Sequence, residues 1–213
     1  MGIEDRRARE FQRREQDILA AALALAGTED WPAVTIDLIA EKAEIGKGTV
    51  YKHFKSKDEV CARLVMEHSI ALLAKFRAVD SQLEFVPRLK VILKTFWYHF
   101  MEQREVFQLS MYCELSGGSL NLSEDFAATF WAQRETVFGY FAGLIEEGID
   151  RGIIARQPID YLMSAGWSTL AGAMRVINDS NFPHLNSDPR YLDYLVDYIL
   201  KGLMNAQAPA ESG

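Results

Sequence analysis

Four lysines, one histidine and two aromatic rings fall within the fifteen residues Ile45–Glu59, IGKGTVYKHFKSKDE. Ammonium groups, an imidazole and the hydroxyls of Thr49 and Tyr51 are hydrogen-bond donors, and donors at this density suit the gripping of phosphates. Three ligands would fit such a set: a nucleotide, a metal ion or a nucleic acid. The nucleotide reading fails on spacing. A phosphate-binding loop needs G-x-x-x-x-G-K-[ST] after a strand; here position 41 is Glu, Lys47 is followed by Gly48, and the preceding segment reads as helix. The metal reading fails because His53, His68, His99 and His184 lack partners at ligand spacing, and Cys61 and Cys113 form no C-x-x-C. No nucleophile–base pair or cofactor loop appears, so the expectation is no enzyme, no cofactor and no metal.

The chain as a whole is acidic, with a formal net charge of -7 over 213 residues. Against that background residues 42–57 hold Lys42, Lys47, Lys52, Lys55 and Lys57 with Glu44 as their sole acid. The first fourteen residues add five arginines, Arg6, Arg7, Arg9, Arg13 and Arg14, against three acids. A basic patch on an acidic body suits a protein that meets a polyanion with one end. The arginines form either an arm reaching a neighbouring groove or a solvated tail.

The elements that must position these groups are helical. Apolar spacing of three and four recurs along the chain, and the expectation is an all-α fold of about nine helices. Phe11, Ile18, Ala22 and Leu25 define a first helix over about 11–26. Thr35 is placed as the N-cap of a short helix, followed by the turn Glu44-Ile45-Gly46 and a second short helix over about 47–53. Ser56 and Glu59 have the spacing of a capping box opening a longer helix. Later helices are expected over 85–103, 104–116, from Ser123 to near Gly152, over 158–178, and after the Asp188-Pro189 cap.

Two short helices around a tight turn make a helix-turn-helix. In the second, Val50 and Phe54 can pack inward with Ile45, Ile39 and Leu19. Lys47, Gly48, Thr49, Tyr51, Lys52 and His53 then face out. Gly48 permits close approach, Thr49 can meet a phosphate or a thymine methyl, Tyr51 and His53 can donate to phosphates, and Lys57 opens the next helix.

Thr35 to Val60, TIDLIAEKAEIGKGTVYKHFKSKDEV, resembles the DNA-binding segment of the TetR (tetracycline-repressor-like) family of transcriptional regulators. The likeness spans about residues 11–65. It implies an all-α homodimer whose three N-terminal helices hold the recognition helix, with a variable ligand pocket and a dimer-forming helical bundle behind. It carries the family's phosphate-contacting role onto Thr35, Tyr51, His53 and Lys57, and its groove-reading role onto Lys47, Gly48, Thr49 and Lys52. The chain departs from the pattern at Ala26, Asp30, Glu44 and Gly46. At Glu44 a turn conformation usually given to glycine must be tolerated.

Beyond residue 85 aromatic residues are dense. Most are core, but wide rings interleaved with methionines also suit an adaptable apolar cavity. Its expected lining is Phe96, Trp97, Phe100, Met111, Trp131, Phe138, Trp167, Leu170 and Met174. Helix 158–178 carries a small-residue stripe, Leu162, Gly166, Thr169 and Ala173. With Leu195, Ile199 and Leu203 of the last helix it forms the expected dimer interface.

These readings divide the chain into an arm and DNA-binding head (1–56), a ligand-binding and dimerisation domain (57–206) and a frayed tail (207–213). The longest charge-free apolar run, Tyr161 to Met174, is too short for a bilayer, which needs about 20 residues. The expectation is a cytoplasmic regulator, a repressor that binds a pseudo-palindromic double-stranded DNA operator as a homodimer and is released by a small hydrophobic effector, with no membrane partner. The alternative is a DNA-binding protein without an effector, acting architecturally or through a protein partner.

Overall fold

Every regular element among the described residues is helical. The computed structural model describes residues 3–178, 182–186 and 188–205; the expected tail 207–213 lies outside them. Among the described residues ten α-helices follow in chain order: α1 Ile3–Ala26, α2 Ile36–Lys42, α3 Lys47–His53, α4 Lys57–Arg77, α5 Phe85–Glu102, α6 Arg104–Ser116, α7 Glu124–Asp150, α8 Ile159–Asn178, α9 Pro183–Asn186 and α10 Pro189–Asn205. The single turn α9 falls where the sequence reads as loop.

The first helix begins at Ile3 rather than near Phe11. Arg, Glu, Ala and Gln dominate its opening turns, and all are good helix formers. The arginines expected in an arm or a tail therefore stand on a helix. Thr35 caps α2 as expected, its Oγ1 accepting from the backbone N–H of Leu38 at 3.3 Å. Glu44 holds a positive φ of 54°. Ser56 accepts the N–H of Glu59 at 3.1 Å, the first half of the expected capping box. The other half closes one residue early, because the Glu59 carboxylate takes the N–H of Lys55 at 2.6 Å. Asp188 caps α10, accepting from the N–H of Arg190 at 2.9 Å.

The chain forms two compact units, one of residues up to 71 with 102–134, the other of 72–101 with 135 onward. This division does not follow the 56/57 boundary expected from sequence. Helices α4 and α7 run from one unit into the other, and residues 102–134 belong with the head. In the first unit Ile18, Leu19, Ile39, Val50, Phe54, Val60, Cys61, Leu109 and Phe130 share one buried cluster, so α6 and the start of α7 complete the core beneath α1–α3. Burying one such aliphatic or aromatic side chain contributes about 1.5–3 kcal/mol.

In the second unit α5 buries Leu89, Ile92, Leu93, Phe96, Trp97 and Phe100, the expected face. Its outer side pairs with α10: Lys90 meets Asp197 at 2.6 Å and Lys94 meets Asp193. Near the end of α7, a Cβ on Gly148 would lie 2.6 Å from Ile154 Cδ1 and 2.7 Å from Phe85 Cζ, so the close packing of those side chains on the helix requires a glycine there. The Phe85 ring lies within 6 Å of both Arg88 and Arg151, which also bind Glu147. No helix among the described residues is long and apolar enough to cross a membrane.

Candidate nucleic-acid interface

The inward face of α3 is set by two residues. Val50 and Phe54 are both almost fully buried in the first unit's core, and Ile45 packs against the same cluster. This fixes the rotation of the short helix, because only one of its faces is apolar. Lys47, Gly48, Tyr51 and Lys52 are consequently exposed, while Thr49 and His53 are half-buried. A Cβ added at Gly46 or Gly48 would meet nothing within 4 Å, so the backbone at the start of α3 faces open space.

Each outward side chain has a particular environment. The Lys47 ammonium group binds the Asp37 carboxylate, 2.8 Å to either oxygen. That hydrogen bond, with the carboxylate's charge, raises the Lys47 pKa above its ordinary value. Asp37 stands in the first turn of α2, so the pair ties the two helices of the motif at their solvent edge. The ammonium group has three donors, so one is left for a phosphate beside the two carboxylate oxygens. The His53 imidazole stacks on Phe11 of α1, ring centroids 3.9 Å apart and planes 30° from parallel. Burial lowers the His53 pKa; nearby Glu15 opposes the shift and Lys52 adds to it. The ring is therefore predominantly neutral at neutral pH.

Lys57 is placed differently from the sequence expectation. Its Nζ donates to the carbonyls of Trp31 (3.0 Å), Pro32 (2.8 Å) and Val34 (2.9 Å) and lies 5.9 Å from the Trp31 ring centroid. These carbonyls belong to the 3-10 turn Trp31–Ala33 and its C-cap. All three ammonium hydrogens are engaged, so Lys57 fastens the start of α4 to the segment that leads into α2.

A polar cluster absent from the expectations holds the same end of α4. Asp58 accepts from the Tyr112 hydroxyl at 2.9 Å and from the Asn121 N–H at 2.8 Å. The Glu59 carboxylate accepts from the Ser123 N–H at 2.9 Å and from its hydroxyl, and Ser56 donates to the Asn121 carbonyl. Burial alone would raise the Glu59 pKa, but these hydrogen bonds, with that from Lys55, hold it below the ordinary value. The Tyr112 hydroxyl is pushed up to about 12 by burial and by its bond to Asp58. The residue after the recognition helix is thus joined to the α6–α7 connection, two segments about 65 residues apart in sequence. The S-x-x-E spacing signalled the cap; nothing in the sequence signalled where the remaining oxygens would go.

Residues 18–64 match the model of "Bacterial regulatory proteins, tetR family". Over these residues the chain is similar to the TetR family of transcriptional regulators. It is 27% identical over 199 residues to the HTH-type transcriptional regulator YhgD of Bacillus subtilis, covering 89% of this chain and 96% of that one. It is 32% identical over 82 residues to the HTH-type transcriptional repressor KstR of Rhodococcus jostii, covering 38% of this chain and 35% of the repressor. A tetR-family regulatory protein of Rhodococcus RHA1 shares the fold with a TM-score of 0.70 at 22% identity, over 91% of this chain and 98% of that one. TetR regulators are DNA-binding proteins and not enzymes.

The residues expected to line a ligand cavity are divided by the fold. Met111 and Trp131 belong to the first unit and the other seven to the second. Trp131 and Phe138 are 38% and 43% exposed. In the second unit Phe96 packs on Phe100 at 4.8 Å and edge-on to Trp167 at 5.6 Å. Trp97 instead meets Tyr191 of α10 at 6.1 Å. Leu170 and Met174 are buried in the same unit.

Four residues expected at a dimer interface, Leu162, Leu195, Ile199 and Leu203, are already buried within the chain. Their helices α8 and α10 pack on each other. Part of the expected stripe, Thr169 and Ala173, does reach an open surface. A groove of about 310 Å³ is lined by Thr169, Gly172, Ala173 and Val176 of α8 and by Tyr191, Tyr194, Leu195 and Tyr198 of α10. Tyr194 and Tyr198 are 72% and 61% exposed.

Proposed function

We propose that this regulator is a repressor that binds a pseudo-palindromic operator as a homodimer and is released by a small hydrophobic effector. The observation that carries the DNA reading is the rotation of α3. Val50 and Phe54 are anchored inward, so Lys47, Gly48, Tyr51 and Lys52 are presented to a groove and its phosphates. Thr35 and Thr49 flank that surface on the same motif. Repression is supported by the name of the relative KstR, a transcriptional repressor matched over 82 residues. A homodimer is supported by the exposed tyrosines and small residues along α8 and α10, which offer an isologous surface. It also follows from recognition geometry, since one helix reads only a few base pairs.

Of the seven expected ligand residues in the second unit, Phe96, the Phe100 and Trp167 rings it packs on, and the buried Leu170 and Met174 are the candidate effector site. An effector there would favour one arrangement of the paired heads over another, through its differential affinity for the two. The near-complete burial of Phe96, Phe100 and Met174 favours a second reading, a DNA-binding protein with a closed interior and no effector. Selecting bound fragments from a random duplex pool, then repeating the selection with hydrophobic ligands, tests both. Enrichment of a palindrome lost on adding a ligand supports the repressor with effector. A palindrome insensitive to every ligand supports the second reading, and no enrichment contradicts both.

A further inference from the structure

The contact between Phe11 and His53 places a residue outside the helix-turn-helix against the recognition helix. Phe11 belongs to α1, 42 positions earlier in the chain, yet its ring lies 3.9 Å from the imidazole centroid with planes 30° from parallel. Two features of the pair do not fit ordinary core packing. Phe11 is 49% exposed, so one ring face covers His53 while the rest stands in solvent. The Nδ1 of His53 is buried and has no hydrogen-bond partner. A buried N–H without an acceptor is unfavourable, so the proton of the neutral ring belongs on Nε2. Nε2 is then a donor, and it is the nitrogen left for a partner outside the chain.

We infer that Phe11 is a positioning residue for DNA binding: it clamps the His53 imidazole in one orientation and tautomer, with Nε2–H aimed at a DNA phosphate. The inference rests on the DNA-binding reading above and deepens it, because it extends the interface from α3 to the N-terminal half of α1. A neutral imidazole contributes a directional hydrogen bond instead of a charge. Its strength depends on aim, and Phe11 sets the aim. Because α1 is helical well before the core residue Ile18, the stacking partner stands on a regular element.

The test is a double-mutant cycle on the full-length chain. The probe is a fluorescein-labelled mixed-sequence duplex of about 40 base pairs at low ionic strength, where phosphate contacts dominate affinity. Phe11→Ala and His53→Ala are each expected to raise Kd about 3- to 10-fold, the loss of one hydrogen bond. The double variant is expected to bind no more weakly than the weaker single one. Phe11→Tyr, which keeps the ring, is expected to bind within about twofold of the parent. Imidazole proton NMR signals of His53 should move in Phe11→Ala and stay in Phe11→Tyr, and thermal melting should show every variant folded. Losses that multiply in the double variant, or a Phe11→Ala variant that binds like the parent while His53→Ala does not, would overturn the positioning role. A His53→Ala variant that binds like the parent would overturn it too. In each of these cases the parent still binds the duplex. A parent chain that binds no duplex at any salt concentration would instead remove the DNA reading itself.

Discussion

The ammonium group of Lys57 donates to the backbone carbonyl of Trp31 at 3.0 Å while lying 5.9 Å from the centroid of that residue's own ring. With its bonds to Pro32 and Val34, the side chain closes the 3-10 turn before α2 onto the start of α4. Lys57→Ala is therefore expected to lower stability by about 1.5–3 kcal/mol, the range for hydrogen bonds to a charged group. Denaturant unfolding would show it. The log–log salt slope for DNA binding should stay the same. A variant of unchanged stability with a shallower slope would return Lys57 to the phosphate contacts.

Glu59 joins the end of the recognition segment to Ser123 through three hydrogen bonds, one of them to Lys55. Glu59→Ala leaves those donors without an acceptor in a buried site and should cost about 2–3 kcal/mol.

The same group sets part of the acid response. Its folded pKa is lowered from the ordinary 4.5. Its contribution is thus fully present above that pH and is lost as pH falls through the lower folded value. Glu59→Gln should flatten the stability-against-pH curve in that acid window and leave its shape above pH 6 unchanged, as followed by urea unfolding at stepped pH.

Glu44 is the one non-glycine residue with positive φ among the described residues, and its side chain is exposed. The left-handed region costs a side chain about 1–2 kcal/mol, partly offset by the greater unfolded freedom of glycine. Glu44→Gly is expected to stabilise the fold by about 0.5–1 kcal/mol. A drop in melting temperature would show that Glu44 makes a compensating interaction.

Cys61 and Cys113 place their sulfurs 3.6 Å apart in the first unit's core, both fully buried. Burial, then the bond to Cys113, pushes the Cys61 thiol well above its ordinary pKa. Aromatic disulfide reagents should therefore modify neither thiol in the native protein and both after unfolding in denaturant. Rapid labelling of the native chain would contradict the packing of α4 against α6.

The fold was legible where local chemistry and apolar period agreed. Thr35, Ser56 and Asp188 announce three helix starts, and the Val50–Phe54 spacing fixes which side of α3 faces out. The turn strain at Glu44 was legible for the same reason, since the residue occupies a place that sterics reserve for glycine. What stayed hidden depends on pairing across the chain. Lys57 reads as a surface cation because lysine beside a basic patch is usually solvated, and only the folded position of Trp31–Val34 reveals its acceptors. Phe11 reads as a core residue because its spacing to Ile18 is helical, although it ends half exposed on His53. The dimer stripes are split: two amphipathic helices packed on each other bury Leu162, while Thr169 and Ala173 stay on the open groove. Leu195, Ile199 and Leu203 are spent inside the chain, and the tyrosines beside them are left outside.

The central claim is that the outward face of α3 binds DNA, and the salt dependence of duplex binding tests it most directly. If the exposed lysines Lys47, Lys52 and Lys55 each neutralise one phosphate, a dimer neutralises about six, which gives a log Kd against log salt slope near 5 in magnitude. Lys52→Ala should reduce that magnitude by about 2, one released counterion per protomer, and Tyr51→Ala should weaken binding without changing the slope. A parent slope below about 2 in magnitude, or one that Lys52→Ala leaves intact, would contradict the account.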